Sequence, residues 1–103
     1  MKLEEFKKQL DTSGLPSAYN SFPEDNVPEM PYVCYSCINS TNFFADGVVY
    51  FGRSNIEVKL YTKNKDVTTE EKVEKALSSF VWEKDEVYVD DEQCLEITYT
   101  MEV

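Results

Sequence analysis

With 103 residues, of which 42% are hydrophobic and 14% aromatic, the chain has the material for one core of ordinary size and is no disordered acidic tail. Its net charge of −10, twenty acids against ten bases, argues against nucleic-acid binding, because gripping phosphates requires clustered Lys and Arg. Three cysteines suit a reducing interior better than a disulfide framework.

The opening Met1-Lys2-Leu3-Glu4-Glu5 places acids where a signal peptide would be apolar. No later run approaches the roughly eighteen apolar residues of a membrane span. Neither export nor a membrane partner is expected. Leu3, Phe6 and Leu10 then recur at helical spacing opposite Glu4, Glu5, Lys7 and Lys8, which predicts an amphipathic helix over residues 2–11. Gly14 and Pro16 stop it. Ala18 to Phe22 can form a short strand, and Pro23 to Pro31, with three prolines and three acids, reads as a connecting loop.

Tyr32 to Asn39 is rich in Tyr, Val, Cys and Ile and predicts a strand. Asp46-Gly47 is the pair that favours a tight hairpin turn, since both central residues of a type I′ turn need positive φ. Beyond it, Ile56, Val58 and Leu60 alternate with polar residues, so the longest strand should end near residue 62 and pair back across the turn. Gly52 is a candidate bulge. Phe43 and Phe44, adjacent beside the turn, cannot both face one side of a strand. At least one belongs at a surface or an interface.

Asn64-Lys65-Asp66 makes a second turn. Thr68 and Glu71 match a capping box, and Val73, Ala76, Leu77 and Phe80 follow at helical spacing, predicting a helix that ends near Val81. Glu86 to Asp90 predicts a strand with Val87 and Val89 on one face. Asp90-Asp91-Glu92-Gln93 turns it, and Leu95, Ile97, Tyr99, Met101 and Val103 alternate through a last strand that runs to the end of the sequence. Residues 1–103 therefore read as a single α+β domain. Its core is a mostly antiparallel sheet of four to five strands with two helices packed on one face.

Catalysis finds little support. The chain has no histidine, which removes every Ser-His or Cys-His nucleophile arrangement, and its three glycines form no phosphate loop. Cys34-Tyr35-Ser36-Cys37 has redox spacing, but in a strand i and i+3 point to opposite faces, and Cys94 alone does not complete a zinc site. Asp90, Asp91 and Glu92 match no calcium loop and read as a solvated hairpin tip. No catalytic residue, cofactor or metal ligand is expected.

The aromatic surplus is more informative: seven Tyr, six Phe and one Trp. Tyr61 and Tyr88 share strand positions with polar neighbours. These residues can pack as ordinary core and edge side chains, or form a protein–protein interface, where Tyr and Phe are enriched. Without a catalytic constellation the interface is preferred, with Asn42, Phe43, Phe44, Tyr61 and Tyr88 as its candidate residues.

Several stretches carry a likeness of pattern across nearly the whole chain. They are Leu15-Pro16 with Ala18-Tyr19-Asn20, Pro31-Tyr32, Asn42-Phe43-Phe44-Ala45-Asp46-Gly47, Ile56-Glu57, Leu60-Tyr61-Thr62, Lys65-Asp66, Glu86-Val87-Tyr88 and Met101-Glu102-Val103. In these the chain resembles the tail-terminator or tail-completion proteins of long-tailed bacteriophages and Gram-positive prophages, often labelled minor capsid or minor tail proteins. The resemblance implies a non-enzymatic morphogenesis protein. Its copies would form a ring, usually a hexamer, that caps the tail tube and joins it to the head. The implied partners are itself, the tail tube protein and a head-completion or connector protein, within a virion assembled in the bacterial cytoplasm. A rival reading is an acidic DNA mimic or inhibitor occupying a basic site on a host enzyme. That would need carboxylates aligned on one face, whereas these acids are spread over helices, loops and both hairpins.

Overall fold

The computed structural model describes the backbone of residues 1–45 and 48–103, and side chains for 1–38 and 54–103. The elements run α1 (Leu3–Leu10), a 3-10 turn (Asp11–Ser13), β1 (Ser17–Tyr19), β2 (Tyr32–Ala45), β3 (Val48–Thr62), α2 (Val67–Ala76), β4 (Trp82–Val89) and β5 (Cys94–Glu102). The strands form one sheet in the order β1-β2-β3-β5-β4, antiparallel except where β1 meets β2. The architecture is α+β, as the periodicities imply.

α1 forms because Phe6 and Leu10 can both be fully buried, while Glu4 and Glu5 in its first turn and Lys7 and Lys8 in its last oppose the helix dipole. Leu3, on the same stripe, stays 38% exposed. Gly14 ends the following 3-10 turn at φ 81°, a left-handed conformation that costs glycine little. The short strand is Ser17–Tyr19, not Ala18–Phe22. Asn20 at φ 65° turns the chain out of it. The long connection from Asn20 to Pro31 then lets β1 lie parallel to β2, a pairing no tight turn permits.

β2 does not stop at Asn39 but continues to Ala45, antiparallel to β3, from Tyr32↔Tyr61 out to Ala45↔Val48. Asp46 and Gly47, the expected turn, lie outside the described residues. The ladder slips twice. Ile38 has no partner between Cys37↔Ile56 and Asn39↔Asn55, and Tyr50 has none between Phe43↔Phe51 and Phe44↔Val49. Gly52 itself pairs with Asn42, so the expected bulge lies at Tyr50 instead.

The helix after the second turn starts earlier than the Thr68/Glu71 capping box suggests. Asp66 is the N-cap: its carboxylate accepts the Thr69 amide at 3.1 Å and the Thr69 hydroxyl at 2.6 Å. A carboxylate outcompetes a hydroxyl here because it also meets the positive end of the helix dipole. Those hydrogen bonds, the hydroxyl's first, hold the Asp66 carboxyl below its ordinary range. Asp66→Ala is expected to lower the thermal midpoint by a few degrees, whereas Thr68→Ala should barely move it; paired melts at pH 7 check this.

α2 ends at Ala76 rather than near Val81. Leu77 and Phe80 lie beyond it yet still reach the core, Phe80 stacking on Phe6 with ring centroids 5.5 Å apart. β4 begins at Trp82, four residues before the expected start, and Trp82 meets the Tyr99 ring edge-on at 5.3 Å. Val87 does not face the core and is 59% exposed.

Residues opposite one another across a ladder share a face. Val33, Tyr35, Val58, Leu60, Ile97 and Tyr99 therefore face one way, toward Phe6 and Leu10 of α1 and Val73 and Leu77 beside them. The other face carries Tyr32, Cys34, Lys59, Tyr61 and Glu96, part of it beneath the loop after β1. Cys34 and Cys37 fall on opposite faces. Cys34 and Cys94 are buried, and Cys37 is exposed.

Candidate interaction surfaces

β2 and β3 outrun the rest of the sheet. β5 pairs with β3 only as far as Asn55↔Glu102, and mutual backbone hydrogen bonds between Ser54 and Val103, at 3.2 and 2.9 Å, close that side. Among the described residues, from Thr41↔Arg53 to Ala45↔Val48 the two strands pair only with each other. At about 3.4 Å per residue this makes roughly 17 Å of two-stranded arm, consistent with a molecule 50 Å long and 28 × 23 Å across. The sequence along it, Phe43-Phe44-Ala45 before the turn and Val48-Val49-Tyr50-Phe51 after it, is apolar. A two-stranded ribbon is marginal alone in water.

The five candidate interface residues do not converge. Asn42, Phe43 and Phe44 sit on the arm, where their backbones pair with Gly52, Phe51 and Val49; their side chains lie outside the described residues. Tyr61 and Tyr88 lie toward the opposite end of the sheet and on different faces. Tyr61 stands across from Glu96, but Tyr88 stands across from Leu95, one residue out of step. Tyr88 is 54% exposed. Tyr61 is half-buried against Tyr32, with ring centroids 5.2 Å apart. Its burial, and then the neighbouring Glu96 carboxylate, push its hydroxyl pKa well above the usual tyrosine value. It stays protonated throughout the physiological range.

One cluster escaped the sequence reading. On α2, Glu70 is 2% exposed and lies between two lysines. Lys84 of β4 is 2.6 Å from one carboxylate oxygen, and Lys65 is 3.0 Å from that oxygen and 2.9 Å from the other. The second oxygen is poorly angled for a hydrogen bond and is held by charge. Lys84 also reaches Glu74 at 2.9 Å, and the Tyr99 hydroxyl donates to the same Glu74 oxygen at 2.8 Å. Burial alone would raise the Glu70 pKa, but the hydrogen bonds from Lys84 and Lys65 outweigh it and hold the carboxyl below its ordinary range. Burial would likewise lower Lys84, yet Glu70 and Glu74 raise it. Lys65 also reaches Glu86 of β4 at 2.6 Å, so each lysine is shared between two carboxylates and the cluster fastens α2 to β4.

Among the described residues, no three His, Cys, Asp or Glu side chains come together as a metal site, and no helix is long and apolar enough to cross a membrane. No protein-family model matches the chain, and no curated protein matches it.

Proposed function

We propose that this chain is a non-enzymatic subunit of a bacteriophage tail, a terminator whose copies close into a ring on the finished tube and join it to the head. The observation that carries the reading is the hairpin arm, whose strands leave the sheet and pair only with each other. A two-stranded ribbon of this apolar sequence is marginal alone in water and gains stability by packing against another protein.

A ring of identical subunits needs two different surfaces on each copy, because a head-to-tail contact repeats until rotation closes it. The arm at one end of the sheet and the tyrosine-bearing end opposite provide two such surfaces. The resemblance supplies the remaining partners, the tube protein and a head-completion protein, and the sixfold count. A net charge of −10 per chain suits a passage through which DNA must slide without being gripped.

Native mass spectrometry of the purified chain, alone and with isolated tails, tests this. The expected result is a closed multimer in the presence of tube ends. A strict monomer indifferent to tails contradicts it.

A further inference from the structure

At the tyrosine-bearing end, the sheet face turned away from the helices holds an aromatic corner. Tyr32 and Tyr61 form its floor as opposed residues of β2 and β3. Phe22, from the loop after β1, stands against Tyr32 at 83°, centroids 5.3 Å apart, as a wall. The three rings line an open cavity of about 210 Å³ together with Val27, Cys34 and Glu92. That is the space of about seven liquid waters.

Of the residues lining this cavity Glu92 alone is charged, beside the neutral Asn20 and Ser21; Lys59, across from Cys34, is held by Glu57 and Glu96. Cys34 is 7% exposed, and burial pushes its thiol pKa up, so it contributes a neutral base. Glu92, in the β4–β5 turn, is exposed; among the described residues its one hydrogen-bond partner is the Cys94 thiol at 3.9 Å, and it faces the Tyr32 ring across the cavity. Glu96, the next carboxylate on this face, is already engaged by Lys59 at 3.7 Å and by the Tyr61 hydroxyl. Glu92 is therefore the carboxylate with acceptor capacity to spare.

We propose that Phe22, Tyr32, Tyr61 and Glu92 form a binding site for an organic cation, a guanidinium or alkylammonium group. The ring faces attract positive charge through their quadrupoles, and Glu92 supplies the counter-charge at the mouth. An anion would meet Glu92, Glu96 and a chain of net charge −10. Sodium, strongly hydrated, gains little from ring faces. Two sources present the required group: a free small cation, or a Lys or Arg side chain on another protein, the chain's single arginine, Arg53 of a second copy, included.

Aromatic NMR titrations with arginine amide and with tetramethylammonium, at constant ionic strength, test the site. Saturable shifts confined to the Phe22, Tyr32 and Tyr61 rings are expected. Glu92→Gln, in an exposed turn where folding is not at risk, should weaken binding about three- to tenfold, and Tyr61→Leu at least as much. A short Arg-containing peptide amide binding roughly tenfold tighter than arginine amide assigns the guest to a protein side chain; equal affinity assigns a free cation. Ring signals that shift with protein concentration in the native chain, but not in Arg53→Gln, assign it to a second copy. Shifts that fail to saturate, that sodium chloride reproduces, or that Glu92→Gln leaves unchanged overturn the proposal.

Discussion

Phe43→Ser combined with Phe44→Ser is expected to weaken association with tube ends by about 2 kcal/mol or more, roughly thirtyfold in Kd, while the thermal midpoint of the isolated chain barely moves. The two effects separate because of where the arm sits. From Thr41 and Arg53 outward the backbones pair with each other beyond the end of β5, away from the register positions of Leu60 and Ile97. An aromatic side chain that fills a neighbour's surface is missed only on assembly. Circular-dichroism melts and a tube-binding isotherm on the same variant check both halves. A fall in midpoint large enough to explain the lost binding would place these phenylalanines in the fold instead.

Glu70→Ala should destabilise the fold by about 3 kcal/mol, and shift the midpoint of a domain this size by roughly 15 °C. Removing the buried member of an ion-pair network takes from two lysines the carboxylate they share. The cost falls at the low end of the usual range because both lysines retain access to water, Lys84 keeps Glu74 and Lys65 keeps Glu86. The sign of the pH dependence follows from the lowered Glu70 pKa. Its stabilisation is fully present above the ordinary glutamate value of 4.5 and is lost as pH falls through the lower folded value. The raised Lys84 adds stability below 10.5 that disappears as pH rises through its folded value. The gap between wild type and Glu70→Ala, measured by urea unfolding, should therefore be flat near neutrality and close in acid. A gap that persists at pH 2 would trace the loss to packing rather than to charge.

Much of this architecture could be read from local periodicity, and what was missed depends on distance. The alternation from Leu95 to Met101 names its buried face because each side chain's direction follows from the one before. Phe6 and Leu10 declare their helix face for the same reason. Periodicity is silent on whether a strand has a neighbour, so nothing in residues 41–53 announced that the sheet ends beside them. Nor could it see that β1 runs parallel to β2, since that follows from the length of the loop between them. Glu70 stands out by no local pattern on α2; its burial depends on Lys84, brought up by β4. Tyr61 and Tyr88 looked equivalent, and a one-residue difference in register against Glu96 and Leu95 put them on opposite faces. The aromatic corner needed Phe22 to fold back over Tyr32 from an irregular loop, which no strand pattern encodes.

The central claim is that the arm touches a neighbouring protein, and a photo-cross-linking amino acid installed at position 43 tests it most directly. In the presence of tails, irradiation should join the chain to a second copy or to the tube protein, at peptides away from its own β3. Cross-links confined to the same chain would contradict it.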